Sequence, residues 1–391
     1  MEQVDIMVIG AGAAGMMCAV EAARRGRRVI VLDHAKAPGE KIRISGGGRC
    51  NFTNIWTEPG CFLSANPRFA ISALSRFTPQ DFIARVDAAG IAWHEKTLGQ
   101  LFCDGSARQI VAMLTDQMAE AGATLRLGVS VKRVANDSGF RVETDGGVFR
   151  PERLVLATGG KSIPKMGATG FAYDVARQFG LPVTETRPGL VPFTFAEQEL
   201  ARMRPLAGVS VRARTTFGGA SFEEGLLFTH RGLSGPSILQ ISSFWLEGHE
   251  VGIDLCPGED VAALLTAERQ VAGRVQVQTA LSRHLPERLA GFILQVCGIS
   301  GRLADQSNAA IGRLGDAVHR WNARPVGTEG YRTAEVTVGG VDTAALDART
   351  MEAKAVPGLY VIGEAVDVTG WLGGYNFQWA WASGWAAGQV V

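Results

Sequence analysis

Gly10-Ala11-Gly12-Ala13-Ala14-Gly15 spells G-x-G-x-x-G, a spacing suited to holding a pyrophosphate. Gly10 permits a tight turn, Gly12 lets the backbone approach phosphate oxygens, and Gly15 lets the following helix pack close to the sheet. A helix beginning at Ala13 would offer free N–H groups and a partial positive charge to the same phosphates. Asp33 is placed to accept hydrogen bonds from both hydroxyls of a ribose. A second glycine-rich loop, Ser45-Gly46-Gly47-Gly48-Arg49-Cys50-Asn51, follows. Its backbone N–H groups suit an anion, and Arg49 adds a cation for the same phosphates. Cys50 is read as a small buried residue, with a covalent cofactor link as the alternative. Near the end of the chain, Gly373-Gly374 precedes a helix, so a third set of unpaired N–H groups faces outward there.

The elements around these residues read as follows. Val4–Ile9 is a short apolar run rich in β-branched residues, which predicts a buried parallel strand. Ala13–Arg25 predicts a helix stopped by Gly26, and Arg28–Leu32 a second strand closed by Asp33. Together they make a complete βαβ dinucleotide unit. Thr124–Val134 predicts a strand, Phe140–Thr144 and Val148–Arg150 a hairpin around Asp145-Gly146-Gly147, and Leu154–Ala157 a buried strand ending at Thr158-Gly159. Two-dinucleotide flavoproteins return such a strand to the central sheet with its Thr-Gly turn near the cofactor. Composition changes at Arg187-Pro188-Gly189. Leu190–Leu255 is β-rich and residues 258–322 are helical and polar, with no phosphate loop. From Gly327 the glycine-rich α/β pattern resumes. We therefore expect an α/β fold: a Rossmann-type domain from residues 1–188 and 339–391, with residues 189–338 inserted. The insert divides into a β barrel, about 189–257, and a helical piece, about 258–325. The tryptophans Trp379, Trp381 and Trp385 have helical spacing and are assigned to the core.

Composition narrows the function. The chain has 391 residues, 46% of them apolar, and a formal net charge of +1. This is enough for two domains and a large core. The balance of 39 basic to 38 acidic residues gives no sign of a nucleic-acid or membrane partner, so a tRNA-modifying flavoprotein ranks third, below an enzyme of small molecules and a redox-gated binding protein. The sequence has no run of 18 apolar residues and opens on a strand, so a cytoplasmic location is expected. The six cysteines and six histidines show no metal-ligand spacing, and no metal is expected.

The stretches SGGGRCNFTN, ATGGKSIPKMGATG, LFTHRGLSGP, TEGYRTAEVTVGGVD and GLYVIGEAVDVTGWLGGYNFQWAWASGWAAG carry a resemblance. Over nearly the whole chain the sequence resembles the YhiN-type, or BaiN/RdsA, family of FAD-dependent oxidoreductases, also labelled aminoacetone-oxidase-like. The resemblance implies FAD in the Rossmann-type domain. The glycine loop would take the pyrophosphate and Asp33 the adenosine ribose, with Asp where FAD proteins more often have Glu. His34 and Lys41 would flank the adenosine half, and Val131 would offer backbone groups to the adenine edge. Ser45–Asn51 would wrap the ribityl and flavin side. Gly363-Glu364, with Asp367, would meet the ribityl–pyrophosphate region. Gly374, Tyr375, Asn376 and Phe377 would lie under the isoalloxazine, the helix start facing its N1 and C2 carbonyl. Candidates for proton transfer are His230, Arg231 and Tyr375. The activity implied is hydride transfer between flavin and a small, largely apolar substrate such as an enone or amine. No second G-x-G-x-x-G follows a strand, so NAD(P)H would bind transiently as electron donor. The alternative is a flavin-binding protein whose redox state gates a partner without turnover.

Overall fold

The computed structural model describes residues 2–137 and 139–391. Contacts divide them into two compact units, residues 1–187 with 336–391, and residues 188–335. Val336–Val338, expected in the insert, groups instead with the first unit. Its Thr337 N–H donates to Glu364 in that unit, at 2.9 Å.

The first unit is built on β1, Glu2–Ile9, α1, Ala13–Arg24, and β2, Val29–Asp33. β1 is paired in parallel on both edges, with β2 and with Gly147–Leu156. Ile6, Met7 and Val8 are fully buried. That is why the run is continuously apolar and does not alternate. Strand Thr124–Leu127 extends the sheet beyond β2, and Leu359–Val361 pairs in parallel with the far half of Gly147–Leu156. The two short strands expected at 148–150 and 154–157 are thus one. Its near half pairs antiparallel with Phe140–Thr144, up to Phe149. Pairing on that edge resumes at Leu154, and Pro151, which has no N–H to donate, falls in the gap. The single strand expected at Thr124–Val134 is two, Thr124–Leu127 and Val131–Asn136.

The last helix, Tyr375–Gly388, packs against α1. Its residues are apolar around most of its circumference, as a helix enclosed on all sides requires. A Cβ on Gly384 would lie 2.4 Å from the Ala14 carbonyl oxygen, so the two helices meet at backbone distance. The buried indoles are satisfied: Trp379 Nε1 donates to Gly363 O at 3.0 Å and Trp381 Nε1 to Phe52 O at 2.8 Å. The far end of the chain thereby closes over its beginning.

The second unit holds an antiparallel sheet of seven strands. Their order is Trp321–Ala323, Val251–Asp254, Ser210–Phe217, Ala220–Thr229, Gly232–Ser234, Phe193–Thr194, Gly327–Thr328. The two end strands are separated by only a few residues of chain, which span at most ~14 Å. Seven strands laid flat would hold those ends ~29 Å apart. The sheet must therefore curl into a barrel-like form, although no ladder joins its two ends among the described residues. Helices Val261–Ala272, Glu287–Cys297 and Asn308–His319 supply the helical part. Phe228 and Trp321 stack inside the unit at 6.0 Å.

Candidate functional site

The glycine loop has the geometry its spacing called for. Gly10 has φ +112°, and a Cβ there would meet the Ala157 carbonyl oxygen at 2.4 Å. A Cβ on Gly15 would meet Gly10 O at 1.9 Å, which is the close helix–strand approach. In front of Gly12 a Cβ would meet nothing within 4 Å. Gly12 is also the N-cap of α1 and supplies no side-chain cap. The N–H groups of Ala13, Ala14 and Gly15 therefore begin a helix facing open space.

Asp33 ends β2 beside this loop. Its Oδ2 accepts from Ala11 N at 2.7 Å and its Oδ1 from Ala35 N at 2.8 Å. The shorter acid thus clamps the glycine loop to β2, and each oxygen retains a lone pair for a ribose hydroxyl. The turn after Thr124–Leu127 lies against the same strand end, with Val129 N donating to Asp33 O and Gly128 N to Ala35 O, both at 3.0 Å. Val131 stands two residues further on and pairs with Thr144, so Gly128 and Val129 come closer to Asp33 than Val131 does. His34 is half-exposed and packs on Gly167, where a Cβ would touch its Nε2 at 2.3 Å. The Thr158-Gly159 turn follows strand Gly147–Leu156, as expected. Thr158 Oγ1 is buried without a hydrogen-bond partner. A buried hydroxyl left unpaired costs free energy unless a ligand completes it. The open space at Gly12, the uncapped helix start and this orphaned hydroxyl together fit a bound dinucleotide.

Lys41 and Glu364 belong together, although the chain separates them by 323 residues. Lys41 Nζ donates to Glu364 Oε2 and to Ser162 Oγ, both at 2.6 Å. Ser162 Oγ donates to Glu364 Oε1 at 2.9 Å, and Lys161 N and Ser162 N donate to Thr337 Oγ1. Lys41 and Glu364, assigned to different parts of the cofactor, are thus direct partners. The Glu364 carboxylate is engaged by protein donors, Lys41 Nζ, Ser162 Oγ and Thr337 N. Ser162 and Thr337 were not singled out from sequence, since nothing local marks an ordinary Ser or Thr as the partner of a distant acid. Gly363 heads a one-turn helix and its N–H donates to Ser383 Oγ at 3.0 Å. Asp367 is buried and its Oδ2 accepts from Ala65 N at 3.1 Å. Burial pushes its carboxyl above the usual carboxylate range, with the Ala65 N–H opposing and the charge of Asp342 reinforcing.

In the second loop, Ser45 Oγ donates to Ile42 O, Gly46 and Gly47 are exposed, and Arg49 is exposed with no partner among the described residues. Asn51 opens β3, Asn51–Asn54, and its amide pairs with Gln100. Cys50 is fully buried and burial pushes its thiol strongly upward, in keeping with a small packed residue. Gly374 is the N-cap of the last helix, with φ +99°. Its close approach is to β3, because a Cβ there would meet Thr53 O at 2.4 Å. A side chain at this position is therefore excluded by the protein's own backbone. Asn376 ties the preceding loop, accepting from Gly370 N and donating to Gly370 O and Trp371 O. Phe377 stacks on Trp381 at 5.6 Å. Tyr375 is 6% exposed and packs edge-on against Phe62 and Trp371. Its ring is therefore part of the core. His230 and Arg231 lie in the second unit at an exposed hairpin turn, where Arg231 pairs with Glu329 at 3.7 Å.

A sheet with parallel central strands, an open phosphate turn on an uncapped helix and an acid at the next strand end define a Rossmann-type dinucleotide-binding domain. Residues 4–390 match the family model described as HI0933-like protein Rossmann domain, and the chain belongs to that family of FAD-dependent oxidoreductases. It is 53% identical, over 100% of its own length and 98% of the relative's, to the ribosomal RNA dihydrouridine synthase of Escherichia coli strain K12. It is 28% identical to the 3-dehydro-bile acid delta(4,6)-reductase of Clostridium scindens, over 99% of this chain and 98% of that one. This is the family expected from the motifs. Among solved structures, the 3-ketosteroid-delta4-(5alpha)-dehydrogenase of Rhodococcus jostii RHA1 matches with a TM-score of 0.50 at 14% identity, covering 99% of this chain and 97% of that one. It shares the fold. No helix among the described residues is long and apolar enough to cross a membrane.

Proposed function

We propose that this enzyme reduces the C5–C6 double bond of a uridine in ribosomal RNA, with electrons from a transiently bound reduced nicotinamide. The observation that carries the reading is the 53% identity, across the full length of both chains, to a relative named for that activity. Chemistry supports it. The uracil C5–C6 bond is conjugated to the C4 carbonyl, which makes it an electron-poor alkene of the same kind as an enone. A relative at 28% identity is named as a reductase of a dehydro-bile acid, so one cofactor arrangement serves substrates of very different size. When bound, FAD would supply the two electrons as a hydride equivalent to the distal alkene carbon, with the proton on the carbon next to the carbonyl taken from solvent and a reduced nicotinamide as the source of the electrons.

The chain's own part is to hold the cofactor. The N-terminus of α1 faces the pyrophosphate, Asp33 fixes the glycine loop and the ribose, and the Lys41–Glu364–Ser162 network keeps the cradle rigid. This reading departs from the expectation of a small-molecule substrate. That expectation rested on net charge, a sum that says nothing about where the charges lie. A ribosomal RNA substrate also agrees with a cytoplasmic location.

The test is anaerobic. The protein is reduced with NADH or NADPH, mixed with ribosomal RNA lacking the modification, and the nucleosides are digested and weighed. Dihydrouridine, two hydrogens heavier than uridine, should appear as the flavin reoxidises. If no dihydrouridine forms and the flavin stays reduced until a steroid enone is added, the RNA reading fails and a small enone takes its place.

A further inference from the structure

The second unit contains a cavity of about 290 Å³ that none of the cofactor residues line. Its walls are aromatic and aliphatic, with Phe195, Phe292 and Trp321 prominent. Trp321 is held in place by its stack on Phe228 and lies on strand Trp321–Ala323, an end strand of the curled sheet. The charged lining is three arginines, Arg202, Arg320 and Arg324, against one acid, Glu199. Arg320 is partly engaged by Asp316 at 3.3 Å. Arg202 and Arg324 are exposed and have no ion pair or hydrogen bond among the described residues. All 14 basic residues of this unit, setting histidine aside, are arginine. Arginine pairs its planar fork with phosphate and stacks on bases, which lysine does less well.

We propose that this cavity is an anchor site for one unstacked nucleotide of single-stranded RNA. The base enters between the aromatic walls, and the flanking phosphates meet Arg202, Arg320 and Arg324. The volume lies near the lower end of ligand sites, which suits a single base better than a folded peptide. Apolar aromatic walls with unpaired arginines at their edge are the arrangement that single-strand binders use, stacking for the base and cations for the backbone. Charge complementarity selects a polyanion over an apolar partner. Every lining residue belongs to the second unit, so the site holds the strand and leaves the chemistry to the flavin unit. The proposal rests on the ribosomal RNA reading above and names how that substrate is gripped.

Two full-length variants test it, Arg202→Glu/Arg324→Glu and Val296→Glu. Val296 lines the cavity, is 60% exposed, and tolerates a charge without loss of packing. FAD content and melting temperature serve as folding controls. Affinity for a labelled single-stranded ribosomal RNA fragment is read by anisotropy across a salt series. Both variants should bind at least tenfold more weakly, and KM for RNA should rise more than kcat falls. The log–log salt slope of the double variant should be shallower by about 0.7 for each phosphate contact removed. Anilinonaphthalene sulfonate, an aromatic anion, should bind the wild-type cavity and be displaced by the RNA fragment. Unchanged RNA affinity in both variants overturns the proposal. So does dye that stays bound as RNA saturates, which would make the cavity a site for small amphipathic anions. If wild type forms dihydrouridine and the variants do so with unaltered KM, the functional reading stands and the anchor falls. If wild type neither binds nor modifies RNA, both fall.

Discussion

Asp33 does two jobs with one carboxylate. It fixes the backbone at Ala11 and Ala35, and it presents its remaining lone pairs toward the ribose position. Hydrogen bonds to a charged group contribute about 1.5–3 kcal/mol each. Asp33→Ala should therefore weaken FAD binding by tenfold or more, measured by titrating the stripped protein with FAD. The visible flavin spectrum should stay the same, because the ribose is far from the ring. A shifted spectrum at unchanged affinity would move Asp33 to the other end of the cofactor. Asp367 poses a different question. Its folded carboxyl binds a proton more tightly than the unfolded one, whose reference value is 3.8. Stability is then lost as pH rises from that reference through the raised folded value, and the cost persists above it. Asp367→Asn keeps an acceptor for the Ala65 N–H and removes the charge. Its melting temperature should exceed wild type at neutral pH, and the gain should shrink toward pH 4. A gain that does not depend on pH would trace the effect to packing.

The last helix and β3 form a unit that the two ends of the chain make jointly. Asn54 Nδ2 donates to Gly373 O, Thr53 Oγ1 donates to Gln378 Oε1, and Gly374 sits against the Thr53 carbonyl. These contacts fix where the helix starts. Gly374→Ala forces a Cβ into Thr53 O and a non-glycine residue to φ +99°. Overpacking of this kind costs about 1–3 kcal/mol, and the backbone strain adds about 1–2 kcal/mol. Denaturant unfolding should show a loss of several kcal/mol by these two figures together. FAD occupancy should fall along with it. Unchanged stability with a lowered flavin midpoint potential would instead place this glycine against the ring. Gly384 makes a similar contact with Ala14 about three turns further along, so the C-terminal helix meets α1 at backbone distance.

At the level of the chain, every residue of the cofactor cradle lies in the unit formed by residues 1–187 and 336–391. The second unit has its own curled sheet and its own aromatic core. Ligand that binds one folded unit stabilises that unit, by about 2.7 kcal/mol at a hundredfold excess over Kd. Calorimetry of the stripped protein should therefore resolve a transition that climbs as FAD is added and a second that does not. One transition that climbs as a whole would mean the two units unfold as one. Net charge is uninformative at this level. The second unit's 14 arginines and 15 acids nearly cancel, yet unpaired arginines gather at one cavity.

The βαβ unit was legible because all its information is local. A buried parallel strand, three glycines at set offsets, a helix and a terminal acid fall within thirty consecutive residues, and each is dictated by dihedral preference or by burial over a few positions. The C-terminal helix and its buried tryptophans were legible for the same reason. The roles of Lys41, Glu364, Asp367, Gly374 and Tyr375 were not. Two glycines before a helix look alike whether their neighbour is a cofactor or another strand, and Gly374 has a strand. A lysine in the short helix Glu40–Ile44 carries no mark of the glutamate 323 residues away that receives it. Spacing along a chain encodes preferences that act over a turn or a strand. Which distant segments meet depends on how the whole sheet and its helices close, and that closure placed the last helix against α1 and joined Lys41 to Glu364.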